Sequence, residues 1–162
     1  MDPAQRAIHD DIVRTRGNVS GPFLAWLLSP GLAQPAQQLG AFCRYNTSLS
    51  IQDSELLILL VAAHHDCVGD QQIHEPIALQ AGLSEEVIVA IRARGDIPEQ
   101  GPRLDLLAVL ARELLAHNRL GDEVYRRGVA QLGERTMVEA VGVIGYYALV
   151  AYTLNAFDMR LE

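Results

Sequence analysis

The sequence predicts an all-α fold, a single-domain orthogonal helical bundle of seven or eight helices. Three observations point there. Apolar residues recur at intervals of three and four, as in Leu104, Leu107, Ala108, Ala111, Leu114 and Leu115, which is the spacing of one helix face. No stretch reads convincingly as a strand, and glycine and proline cut the chain into helix-sized pieces. A length of 162 residues with 49% apolar content suffices for one domain with its own core.

Each element follows from local signals. Asp2-Pro3 opens an amphipathic helix over Pro3 to Arg16 that Gly17 closes. The pairs Gly21-Pro22 and Pro30-Gly31 mark turns around a short apolar segment, Phe23 to Leu28, and a helix follows over roughly Ala33 to Tyr45. Asp53 or Ser54 opens the strongly apolar helix Leu56 to Ala63, which needs burial on most faces, and a break falls near Gly69. The helix carrying His74 runs from Asp66 or Val68 to Ala81, with Gly82 as its left-handed stop and Pro76 as a source of a kink or a solvated carbonyl. Ser84 caps the next helix and puts Glu85 and Glu86 in its positive first turn. After the loop GDIPEQGPR comes the helix of Leu104 to Leu115. Gly121 starts another through Leu132, and Glu134 begins the last and longest, ending near Phe157.

Within that last helix, Ala140 to Leu154 carries no charge, but its fifteen residues fall short of the roughly 20 that cross a bilayer. It reads as a helix buried in the protein or at a subunit contact. A formal charge of −7 and a pI near 5.2 exclude a phosphate-neutralising surface, since Arg92 with Arg94 and Arg126 with Arg127 are only short helix-end pairs. The first seventeen residues are polar throughout and offer no apolar signal run. Two cysteines, Cys43 and Cys67, make no disulfide framework, so a cytoplasmic protein is expected, with no nucleic-acid and no membrane partner.

Chemistry concentrates between Glu55 and Ser84. Asp70 precedes His74 by four residues and Cys67 precedes it by seven, so a helix through this region sets all three on one face. Glu55, twelve residues before Cys67, can join them only by tertiary packing. Each residue has a plain reading beside the chemical one. His74 is either a helix histidine bonded to a carbonyl or the partner of Asp70. Asp70 and Glu55 are either first-turn acids or working carboxyls. Cys67 is either a buried small apolar residue or a thiolate near a helix start. The cluster His64, His65, Asp66, Cys67 and His74 lacks any known ligand spacing, because adjacent histidines diverge on a helix, so no metal is expected. Arg44 with Tyr45 is the candidate for a substrate carboxylate, since a guanidinium grips one with two parallel bonds. Trp26, Tyr146 and Tyr147 are pocket or core aromatics.

Several separated motifs resemble the carboxymuconolactone decarboxylase family of the alkylhydroperoxidase D-like superfamily. These are Glu55 in an apolar helix, an acid four before His74, the run HEPIALQAGLS, the closing VGVIGYYALVAYTLNAF, and GPF and SPG near the start. The resemblance covers about residues 20 to 158, read as one domain spanning 1 to 162, and implies an alkylhydroperoxidase D-like helical fold. Its peroxidase branch carries C-x-x-C followed by the histidine, with a glutamate twelve residues before the first cysteine. Cys67, His74 and Glu55 match those positions, but Asp70 stands at the second cysteine, and C-x-x-D cannot form the intramotif disulfide. Its decarboxylase branch usually has a glutamate–tryptophan pair where this chain has Asp70-Gln71.

The resemblance therefore implies a cofactor-free, lyase-like enzyme acting on a small lactone or carboxylated compound. Glu55, Asp70, His74 and Cys67 are the candidate catalytic residues, and Arg44, Tyr45 and Trp26 the candidate binding residues. A thiol peroxidase using Cys67 and a non-catalytic helical oligomer are the alternatives. The surplus of all-round apolar helix, together with the resemblance, leads to the expectation of a homotrimer or homohexamer.

Overall fold

The computed structural model describes residues 1–160, so the last two residues of the expected domain lie outside it. Among the described residues there are nine α-helices and no strand: α1 (Pro3–Arg16), α2 (Pro22–Trp26), α3 (Pro30–Tyr45), α4 (Ile51–His64), α5 (Val68–Gln80), α6 (Glu85–Arg92), α7 (Pro102–His117), α8 (Asp122–Leu132) and α9 (Glu134–Ala156).

The ninth helix is α2, where the sequence showed only an apolar segment between turns. Pro22 at its first position presets the helical φ, and Gly21 takes the positive φ of 58° that leads into it. Proline also starts α3 earlier than expected, at Pro30. α4 opens at Ile51 because Ser50 is its cap. Ser50 Oγ accepts from the Asp53 amide at 3.0 Å and Asp53 Oδ2 accepts from the Ser50 amide at 2.9 Å, a reciprocal capping box. Asp53 is thus the third residue of the helix and not its opener.

The break before α5 falls at His65–Cys67 and not at Gly69. Asp66 adopts a left-handed φ of 51°, and Cys67 is the N-cap residue of α5. Gly69 lies inside the first turn for a packing reason: a Cβ there would stand 2.5 Å from the carbonyl oxygen of Met159. α5 continues through Pro76, and Gly82 follows it at φ 100°. Ser84 caps α6, its Oγ accepting from the Val87 amide at 3.3 Å.

α4 is the centre of the molecule, packed against α5, α6, α7 and α9. Its eleven residues from Asp53 to Ala63 are all buried, which is why its sequence shows no polar stripe. Truncating Leu56 or Leu57, both fully enclosed, to alanine costs about 2–5 kcal/mol on the usual core scale.

α9 packs along α3, α4, α5 and α8. At 23 residues it is long and apolar enough to cross a membrane, so the expectation that this segment is too short does not hold for the whole helix; 61% of its most apolar window is buried inside this fold. Glu139, near its start, ties the α3–α4 loop to α9. Its carboxylate accepts from Ser48 N and Oγ at 2.6 Å each and from Arg135 Nε at 2.9 Å. The Ser48 bonds first, and Arg135 after them, hold its pKa down at about 2.

Candidate active site

Glu55 rides on α4 and His74 on α5, and the packing of these two helices brings them together. Glu55 Oε2 lies 2.7 Å from His74 Nδ1, inside hydrogen-bond range. Both residues are only 3% exposed. With Glu55 ionised, Nδ1 carries the donated proton, and Nε2 is the ring nitrogen left for chemistry. The imidazole and the ring of Tyr147 on α9 meet edge to face, with ring centroids 5.2 Å apart and planes at 89°.

Asp70 is one turn before His74 and 2% exposed. Its Oδ2 is buried without a hydrogen-bond partner. Burial pushes its carboxyl pKa up to about 6; a cationic His74 and Arg44 pull against that shift, and Glu55 adds to it. The result is an acid with a transferable proton close to neutral pH.

Asp70 and His74 open into a cavity of about 200 Å³. Arg44 and Tyr45 from the end of α3 line it, as do Tyr146 and Tyr147 from α9, Phe23 from α2 and Arg16 from the end of α1. Glu55 does not line the cavity; it stands behind the imidazole. Burial raises the phenol of Tyr146 to about 12 and that of Tyr147 further, so both hydroxyls stay protonated and can donate to a ligand. Gly40 permits this wall, because a Cβ there would lie 2.1 Å from the Tyr146 hydroxyl oxygen.

The other candidates fall elsewhere. Trp26 lies in the core, outside the cavity lining: it is 3% exposed, and its indole Nε1 donates to Thr153 Oγ1 at 3.0 Å. Its ring packs behind Tyr146. Cys67 is fully buried and also outside the lining. Burial raises its thiol to about 11, against bonds from the Asp70 and Gly69 amides that lower it. Cys43 is buried as well, its thiol raised by the same cause, and both cysteines are free thiols. Among the described residues no group of three or more His, Cys, Asp or Glu side chains is arranged to hold a metal ion.

Sequence reasoning missed Arg16, which it placed only as the end of an amphipathic helix. It weighed Tyr146 and Tyr147 mainly as core. A clue to the tyrosines existed in two adjacent aromatics on a helix otherwise made of small and aliphatic residues; for Arg16 there was none.

Comparison with known proteins agrees with this architecture. The model of the carboxymuconolactone decarboxylase family matches residues 30–112, and no curated protein matches the chain. An uncharacterized peroxidase-related protein from Silicibacter sp. TM1040 has a similar structure, with a TM-score of 0.79 at 12% identity over 98% of this chain and 86% of that one. A second uncharacterized peroxidase-related protein, an alkylhydroperoxidase AhpD core from Ralstonia eutropha JMP134, gives 0.76 at 15% identity over 98% and 85%. At such identities the likeness is one of fold, and it extends an alkylhydroperoxidase D-like architecture over nearly the whole chain. Because the family model spans just over half of the sequence, from the start of α3 into α7, and takes in Arg44, Glu55, Asp70 and His74, this chain belongs to the carboxymuconolactone decarboxylase family.

Proposed function

We propose that this protein is a cofactor-independent acid–base enzyme that decarboxylates, or carries out a related lyase reaction on, a small lactone or carboxylated compound. The observation that carries this reading is the unpartnered Oδ2 of Asp70, a carboxyl poised near neutral pH beside an imidazole whose tautomer Glu55 fixes. In the reaction, the bond between the substrate carbon and its carboxylate breaks and carbon dioxide leaves. The electron pair spreads onto the lactone carbonyl as an enolate, which the Tyr146 and Tyr147 hydroxyls stabilise from the cavity wall. A proton from Asp70, or from Nε2 of His74 when both ring nitrogens carry one, then completes the product at carbon. Glu55, which does not reach the cavity, acts as a positioning residue.

A dithiol peroxidase reading finds little support in the same geometry. Cys67 is enclosed, its thiol is raised, and Asp70 stands where a second cysteine would be needed. Carbon dioxide release from carboxymuconolactone and related lactone acids tests the proposal, run beside organic hydroperoxide consumption in the presence of a dithiol. Release without peroxide turnover is expected. Peroxide turnover that disappears in Cys67→Ser, with no carbon dioxide from any lactone acid, contradicts it.

A further inference from the structure

The protein carries a formal charge of −7, yet two guanidinium groups, Arg16 and Arg44, face one small cavity. Neither belongs to any ion pair among the described residues. Arg16 is the one with a buried donor left open. Its Nε is buried without a partner, and its Nη2 reaches only the Gln37 carbonyl oxygen, at 3.4 Å. A buried donor left unpaired is costly, so an arginine held in this way implies a missing acceptor.

Both guanidinium groups are held by stacking. Arg16 Cζ lies 4.7 Å from the centroid of Phe23, and Arg44 Cζ 5.8 Å from that of Tyr45. Gly40 shapes the ground beneath Arg16, since a Cβ there would come within 3.1 Å of Nη2. The carboxylates nearby do not cancel these charges. Glu55 is engaged with His74 behind the cavity wall, which leaves Asp70 as the one carboxylate facing two guanidinium groups. The cavity thus keeps a local positive surplus, and at about 200 Å³ it falls below the roughly 300–1,000 Å³ of sites for drug-sized ligands.

We propose that Arg16 is the second anion-holding side chain of this cavity, and that the bound molecule is a small dicarboxylate with one acid group on Arg44 and the other on Arg16. The inference rests on the reading of this cavity as the substrate site. Arg16 comes from α1, outside the segment 30–112 that matches the family model, so α1 is the element that sets this selectivity. An arginine suits the role because its fixed fork of donors matches a carboxylate edge-on.

Isothermal titration calorimetry at pH 7 and constant ionic strength, with glutarate, adipate, their monomethyl esters and inorganic phosphate as probes, tests it without requiring turnover. In the wild type, at least one diacid binds about tenfold or more tighter than its monoester, the scale of one charge-assisted bond. Arg16→Gln abolishes that gap by weakening the diacid alone, and Arg16→Lys keeps part of it. No gap for either diacid, equal weakening of diacid and monoester in Arg16→Gln, or phosphate binding tighter than both diacids overturns the proposal. If the gap is found and no carbon dioxide release is, the decarboxylase reading fails and the dicarboxylate site stands; release without a gap has the opposite meaning.

Discussion

Glu55 and His74, nineteen residues apart on neighbouring helices, form a buried carboxylate–imidazole pair with Oε2 and Nδ1 2.7 Å apart. Removing one partner of such a pair leaves the other buried and unsatisfied. Glu55→Ala is therefore expected to lower unfolding free energy by about 3–5 kcal/mol, and Glu55→Gln, whose amide oxygen can still accept from Nδ1, by clearly less. Urea denaturation of the three proteins checks this. Equal stability of Glu55→Ala and wild type would mean the pair does not hold α4 to α5.

Asp70 makes stability depend on pH in a definite direction. Its folded pKa of about 6 lies above the ordinary 3.8, mainly because of burial. The fold thus favours the protonated form. The cost of ionising it is absent below pH 3.8, grows between 3.8 and about 6, and is fully present above that. Asp70→Asn removes this cost, so relative to wild type the variant gains about 3 kcal/mol on going from pH 4 to pH 8, from a shift of about two units. Paired denaturation curves at the two pH values measure the difference. A variant that instead loses ground at pH 8 would show that Asp70 is ionised comfortably in the native cavity.

Both thiols are enclosed and raised, so neither should react with an aromatic disulfide reagent at pH 8 on the timescale of minutes, while both should do so in denaturant. Rapid modification of Cys67 in the native protein would restore the redox reading.

An apolar groove between α3 and α9 is lined by Leu39, Phe42 and Val138, and Val138 is 72% exposed. We propose that a second copy of the chain covers it. Light scattering should give a multiple of 17.8 kDa, reduced in Val138→Glu. A wild-type mass of one chain at micromolar concentration contradicts the expectation.

Much of the fold was legible because its helices announce themselves by period and punctuation. Pro3, Gly82, Ser84, Gly121 and Glu134 all stand at or beside helix ends as expected. The misplaced boundaries have local causes. The capping box of Ser50 and Asp53 starts α4 earlier than an isolated Asp53 suggested, and Asp66 breaks the chain in a left-handed conformation that a non-glycine rarely adopts. At the site, the one-turn spacing of Asp70 and His74 was readable, and the resemblance supplied Glu55. The placement of Trp26 in the core was not readable, because sequence cannot tell an indole bonded to Thr153 from one facing a cavity. Arg16 was invisible because its place depends on how α1 lies across α3, a relationship that no local pattern encodes.

The most direct test of the central claim compares carbon dioxide release by wild type, His74→Gln and Cys67→Ser on the same lactone acid. If Glu55, His74 and Asp70 form an acid–base site, His74→Gln is slower by about 10²-fold or more, the scale of a lost general acid or base. Cys67→Ser should run close to the wild-type rate. A His74→Gln variant that matches wild type, or a Cys67→Ser variant that loses turnover while remaining folded, contradicts the account.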